Sequence, residues 1–144
     1  MKILIFGLPG SGKTTLAREL AYHFTIPHHN GDTYREYMNN WDFSYSGRNR
    51  QATLMARQWG ILDFVCPTNY LREIVRPNYT IFMNTIDEGR YEDTNNMFEQ
   101  PLSCDFEVKK WIELNQLRKC LADFSPGTTD IPNFLKLHFQ KLLK

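Results

Sequence analysis

Apolar positions along the chain fall into two rhythms. KILIF (2–6) is a nearly continuous apolar run closed by glycine, which predicts a strand buried on both faces. Residues 13–24 place Leu16, Leu20 and Phe24 at helical spacing. TIPHHN (25–30) reads as a short second strand, and Pro27 puts it at an edge or a strand start. Helical segments are expected over 33–40 and 46–59. GILDFVC (60–66) and YTIFMNTI (79–86) read as a third and a fourth strand, and CDFEV (104–108) as a short fifth. A helix near 109–123, a Pro-, Gly- and Thr-rich loop over 125–133 and an amphipathic helix over 134–144 complete the chain. Strands alternating with helices predict an α/β fold of three layers around a mostly parallel sheet.

In such a sheet, right-handed crossovers bring the C-terminal strand ends to one edge, and ligands bind outside that edge. Four strands here end in polar text: GLPGSGKT, NGDTYR, CPTNYLR and NTIDEGR. The last three each contain an arginine. Between Thr14 and Val108 there is no lysine, but arginine stands at 18, 35, 48, 50, 57, 72, 76 and 90. Arginine grips phosphate or sulfate with a planar fork, whereas lysine offers a point charge.

The totals change this picture little. The 144 residues fit one domain, 1–144, and 17 basic against 16 acidic groups give a net charge of +1. That balance argues against a nucleic-acid or membrane partner. No apolar run approaches the roughly 18 residues of a membrane span, and a cytoplasmic location is expected. The cysteines at 66, 104 and 120 lack metal-ligand spacing and read as free thiols. Adjacent His28 and His29 point to opposite faces of a strand, which disfavours a shared metal.

Chemistry enters at Gly7-Leu8-Pro9-Gly10-Ser11-Gly12-Lys13-Thr14, which matches G-x-x-x-x-G-K-[ST] between a strand and a helix. Its glycines let successive N–H groups turn inward as an anion nest, and the helix adds its positive end. Gly7, Pro9, Gly10, Ser11, Gly12, Lys13, Thr14 and Thr15 are the candidate ATP-binding residues. Lys13 would reach the β- and γ-phosphates, and the Thr14 hydroxyl would ligate Mg2+. No asparagine is followed by lysine and none of the eight aspartates begins Asp-x-x-Gly, which argues against a GTPase switch. Asp63 is either a water-mediated Mg2+ ligand or a buried carboxylate.

A small kinase must hold an acceptor hydroxyl in line with the γ-phosphate. Asp32, after the second strand, suits a general base or a metal-bound carboxylate, or the N-cap of a helix starting near Thr33. Arg35, one turn on, would face the same cleft. DEGRYEDTNN reads as a lid near 87–100 whose Arg90 swings over the phosphates, or as a solvated loop. Trp41, Phe43 and Tyr45 alternate as a base-stacking wall or as core.

These segments resemble the adenylylsulfate kinase family of P-loop kinases, which phosphorylate the ribose 3′-hydroxyl of adenosine 5′-phosphosulfate (APS). The resemblance runs from Ile3 to about Val108. NGDTYR is similar to the family's Asp-Gly-Asp-x-x-Arg, which implies a catalytic Asp32 and a substrate arginine at Arg35. DFSYSGRNRQ resembles the Gly-Phe-Ser…Asp-Arg-x-Glu-Asn segment, implying Phe43 on the adenine, Arg48 on the phosphosulfate and Gln51 in a substrate-holding position. VCPTNYLREIVR is similar to Ile-Ser-Pro-Tyr-x-x-x-Arg and adds Pro67 and Arg72. MFEQPLSCDFEV is similar to the Tyr-Glu-x-Pro segment. The chain departs at Asn30, Gly47, Arg50 and Gln51, where the family has Asp, Asp, Glu and Asn, and it lacks the Lys-Gly-Leu-Tyr-Lys lid. The implied partner is a small nucleotide acceptor. A polynucleotide 5′-kinase and a nucleotide-binding module without catalysis stay open, as does a homodimer.

Overall fold

The structure, a computed structural model, describes residues 1–39, 41–123 and 130–139. Five strands form one sheet: β1 (Lys2–Phe6), β2 (His28–Asn30), β3 (Gly60–Asp63), β4 (Tyr79–Met83) and β5 (Phe106–Val108). Their order is β2-β3-β1-β4-β5 and every pairing is parallel. β2 is an edge strand, in keeping with Pro27 beside it. Ile3 and Ile5 turn to one face and Leu4 and Phe6 to the other, as the two-residue period of a strand requires.

Those faces carry two separate cores. On one, α1 (Lys13–Phe24), α6 (Trp111–Ala122) and α7 (Ile131–His138) bury Leu16, Leu20, Leu114, Leu117, Leu121 and Phe134 against Ile3, Ile81 and Phe106. On the other, α3 (Tyr45–Met55) and α4 (Asn69–Val75) bury Ala52, Met55, Leu71 and Val75 against Leu4, Phe6, Leu62 and Phe82. α2 (Gly31–Met38) and α5 (Glu92–Met97) complete the elements. The layers are those expected from sequence, and the sheet is wholly parallel.

Several bounds differ. The third strand stops at Asp63, where the β1–β3 ladder ends at Ile5 as β1 turns into its glycine loop. The fourth stops at Met83, the last residue paired with β5. The second covers only 28–30, because Thr25 takes a left-handed turn (φ 55°) to end α1. α4 occupies a stretch for which the hydrophobic pattern suggested no element. Thr68 caps it by accepting from Leu71 N–H. Ile131–Asn133, expected in a loop, open α7. Asp130 accepts from Asn133 N–H, and Pro132 sits in the first turn, where a missing N–H costs nothing. Residue 40, residues 125–129 of the expected loop and residues 140–144 of the last expected helix lie outside the described residues. The three cysteines form no disulfide among the described residues, and burial pushes the Cys66 thiol up to about 12. Among the described residues no helix is long and apolar enough to cross a membrane.

Candidate active site

The loop from Gly7 to Gly12 joins β1 to α1 at the C-terminal edge, where the two neighbours of β1 lie on opposite sides. Gly10 and Gly12 take φ values of 83° and 99°, which only glycine adopts without strain. Ser11 is fully buried and its Oγ has no partner among the described residues, while Thr85 Oγ1 donates to the Ser11 carbonyl at 2.7 Å. Lys13 is buried and donates to the Leu8 carbonyl at 2.9 Å, which folds its ammonium over the loop. Burial pulls its pKa below the ordinary lysine value, against the opposing pull of Asp63 and Asp32. A glycine-lined nest with a buried ammonium and an unpartnered hydroxyl fits a polyphosphate. Thr15 is exposed at the start of α1.

Asn30 organises the neighbouring corner. Its Oδ1 accepts from Thr33 N–H, so Asn30 is the N-cap of α2. The capping role allowed for Asp32 is therefore corrected: the helix starts two residues earlier than Thr33, and Asp32 stands exposed in its first turn. The Asn30 amide also donates to Thr14 Oγ1 (3.3 Å) and Asp63 Oδ2 (3.0 Å). His28 Nε2 lies 3.0 Å from the same Asp63 oxygen. An aspartate at position 30 could not donate to Asp63, so the asparagine is what permits this linkage. Asp63 has no exposure, and its Oδ1 is buried without a partner among the described residues. The Thr14 hydroxyl and the Asp63 carboxylate are hard oxygen donors that suit Mg2+.

Between these groups opens a cleft of about 550 Å³, lined by Pro9, Gly10, Lys13, Thr14, Asn30, Asp32, Arg35, Trp41, Phe43, Arg48, Gln51, Asp63, Phe64, Val65, Tyr91, Asp93 and Thr94. Arg35 and Arg48 are 2% and 4% exposed, and their guanidinium carbons lie 4.5 and 5.4 Å from the Phe43 ring centroid. Arg35 donates to the Asp42 carbonyl and to Gln51 Oε1, and Arg48 to the Phe43 carbonyl and Thr94 Oγ1. Burial lowers the pKa of both. Repulsion from Arg48 lowers Arg35 further, against the opposing pull of Asp32 and Asp42, whereas Asp93 steadies the charge of Arg48. Trp41 and Phe43 stand 6.3 Å apart and tilted. Tyr45 is on a different, shallow surface with Arg50. The Gln51 amide also donates to the Gly31 carbonyl, so this side chain braces Arg35. Gly47 is required because a Cβ there would run into the Asp42 carbonyl.

Pro67 and Arg72 do not line this cleft. Arg72 lies over the rings of Phe6 and Phe98, at 4.4 and 5.1 Å, and donates to Cys66 O, Asn69 Oδ1 and Glu99 O. Burial lowers it to about 10. The Pro67 carbonyl accepts from Glu99 N–H. Arg90 is exposed, without a partner among the described residues. The expected lid segment contains α5 and supplies Tyr91, Asp93 and Thr94 to the cleft wall. Sequence reasoning assigned no role to Asn30, Thr94 or His28. The departure at Asn30 was the available signal for the first of these.

No family model matches the chain. Over 37 residues it is 51% identical to an adenylate kinase of Pseudothermotoga lettingae, a stretch that is 25% of this chain and 17% of that enzyme. Solved structures resemble it over most of its length. The crystal structure of APE1195 superposes with a TM-score of 0.62 at 20% identity, covering 85% of this chain and 95% of the other. The APS kinase CysC of Mycobacterium tuberculosis, solved with AMPPNP and APS, gives 0.61 at 15% identity, covering 85% and 97%. A shikimate kinase of Bacteroides thetaiotaomicron gives 0.56 at 15%, covering 85% and 96%. At these identities the likeness establishes the fold, which is that of the P-loop kinases.

Proposed function

We propose that the chain is an ATP-dependent small-molecule kinase, a single domain over 1–144 with its lid near 87–100. Its best reading is adenylylsulfate kinase-like. The ATP γ-phosphate would pass to the ribose 3′-hydroxyl of adenosine 5′-phosphosulfate or a similar nucleotide. One observation carries the reading: a single cleft joins the phosphate-loop residues Lys13 and Thr14 to Asp32 and to two buried arginines. A kinase needs that juxtaposition of donor cradle, proton acceptor and anion clamp.

Lys13 and the loop N–H groups hold the donor phosphates. Thr14 and Asp63 would hold Mg2+, which when bound neutralises phosphate charge. Asp32 accepts the proton of the acceptor hydroxyl, and Arg35 and Arg48 hold the acceptor's anionic end. Trp41 and Phe43 offer flat apolar surface for a base. Phosphoryl transfer from radiolabelled ATP, tried with adenosine 5′-phosphosulfate, other hydroxyl-bearing nucleotides and DNA 5′ ends, tests the reading. Label on the ribose 3′-hydroxyl, lost in Asp32→Asn, is the expected result. Label on DNA ends would make the protein a polynucleotide kinase. Nucleotide binding with no transfer to any acceptor would make it a binding module.

A further inference from the structure

The segment after β4 reads in sequence as a swinging lid or a solvated loop, and in the structure its turn at Gly89 is braced by hydrogen bonds. The Asn95 side chain pairs with both polar groups of the Gly89 residue: Oδ1 accepts from Gly89 N–H at 2.7 Å, and Nδ2 donates to Gly89 O at 2.9 Å. Gly89 lies against the phosphate loop, and a Cβ there would sit 3.2 Å from the Pro9 carbonyl. Its φ is not in the left-handed region, so close approach rather than backbone conformation calls for glycine. The next residue is Arg90. One position before Asn95, buried Thr94 accepts from Arg48 at 2.9 Å. α5 is thus tied to the acceptor arginine at Thr94 and to the phosphate loop's neighbour at Asn95.

We propose that Asn95 is a positioning residue that fixes the Gly89–Arg90 turn beside the phosphate loop, so that Arg90 meets the γ-phosphate from a preset backbone. This rests on the kinase reading of the cradle. The pairing calls for an amide, because an amide carries a donor and an acceptor side by side, matching the N–H and C=O of one residue. Aspartate keeps the bond from Gly89 N–H and loses the one to Gly89 O. Leucine keeps the volume and loses both. Fixing the turn in advance spares the entropy of ordering it when nucleotide arrives.

The test uses binding, so it needs no acceptor. Affinities for AMPPNP and ADP, each with Mg2+, are measured by calorimetry in the wild type, Asn95→Leu, Asn95→Asp, Arg90→Ala and the Asn95→Leu/Arg90→Ala pair. Arg90→Ala and Asn95→Leu should each reduce the preference for AMPPNP over ADP by about tenfold, the scale of one charge-assisted hydrogen bond. The pair should lose no more than either alone, since a positioning residue acts through its target. Asn95→Asp should fall between. Losses that multiply in the pair, or an unchanged preference in Asn95→Leu, would overturn the proposal while leaving the cradle intact. A wild type that binds neither nucleotide would instead remove the kinase reading, and the proposal with it. Melting temperatures of all variants identify any loss that comes from a disturbed fold.

Discussion

Arg48 and Arg72 look alike by burial and differ in what their aromatic neighbours do. Each is under a tenth exposed, each rests on a phenylalanine ring, and each donates to protein oxygens. Arg72 rests on Phe6, which has no exposure, and on Phe98, and neither ring lines the cleft. Arg48 shares with Arg35 the ring of Phe43, which is 44% exposed and lines the cleft. An arginine after a strand at the ligand edge is therefore not yet a ligand for substrate. The proposed acceptor role is kept for an arginine whose underlying ring opens on the cleft. Arg72 instead ties the start of α4 to the chain near Glu99.

The comparison presupposes a working donor site, and the largest expected effect lies there. Lys13→Ala should slow phosphoryl transfer by about a thousandfold, the scale of removing one preorganised donor from a charge-stabilising site. Steady-state rates and a melting curve check it, and near-normal transfer by a folded variant would sink the cradle reading. Next, Asp32→Asn should lower the rate at saturating substrates by about a hundredfold. Because Asn30 is the cap of α2, its melting temperature should stay at the wild-type value. A variant that melted early and otherwise turned over normally would return Asp32 to a structural role.

The comparison itself is sharpened by two lysines. Arg48→Lys should raise the acceptor KM about tenfold and leave the ATP KM alone, because the fork is lost while the charge remains. Arg72→Lys should leave both KM values unchanged and cost about 1–2 kcal/mol of stability, since one ammonium cannot reach three oxygens arranged for a fork. Paired KM measurements and urea unfolding decide the matter. A selective rise in acceptor KM for Arg72→Lys would erase the distinction between the two regions.

Much of the fold is legible in the sequence. The glycine pattern needs no tertiary information, because backbone φ at Gly10 and Gly12 is a local demand and the sequence around it is a strand followed by a helix. The buried runs of β1, β3 and β4 were legible because strands covered on both faces have little polar content to confuse their period. Short elements were harder to read. α4 spans seven residues, and a helix that short is stabilised by packing Leu71 and Val75 under the sheet rather than by its own pattern. Pro132 misled in the opposite direction, being a loop signal in sequence and a first-turn residue in the fold.

By itself the sequence determined the cradle, the alternation that makes the sheet parallel, and the edge on which Asp32, Arg35, Arg72 and Arg90 must all emerge. Only the tertiary structure decided which of them share a space. Arg35 and Arg48 meet at Phe43 because α2 and α3 pack side by side. Arg72 is enclosed because α4, on the same face of the sheet as α3, holds it over Phe6. Asn30 took the cap from Asp32 because β2 ends beside Asp63 and gives its amide two oxygens to join. Which groups a side chain reaches depends on elements distant in the chain, and those distances are set by packing the two cores, not by local residue order.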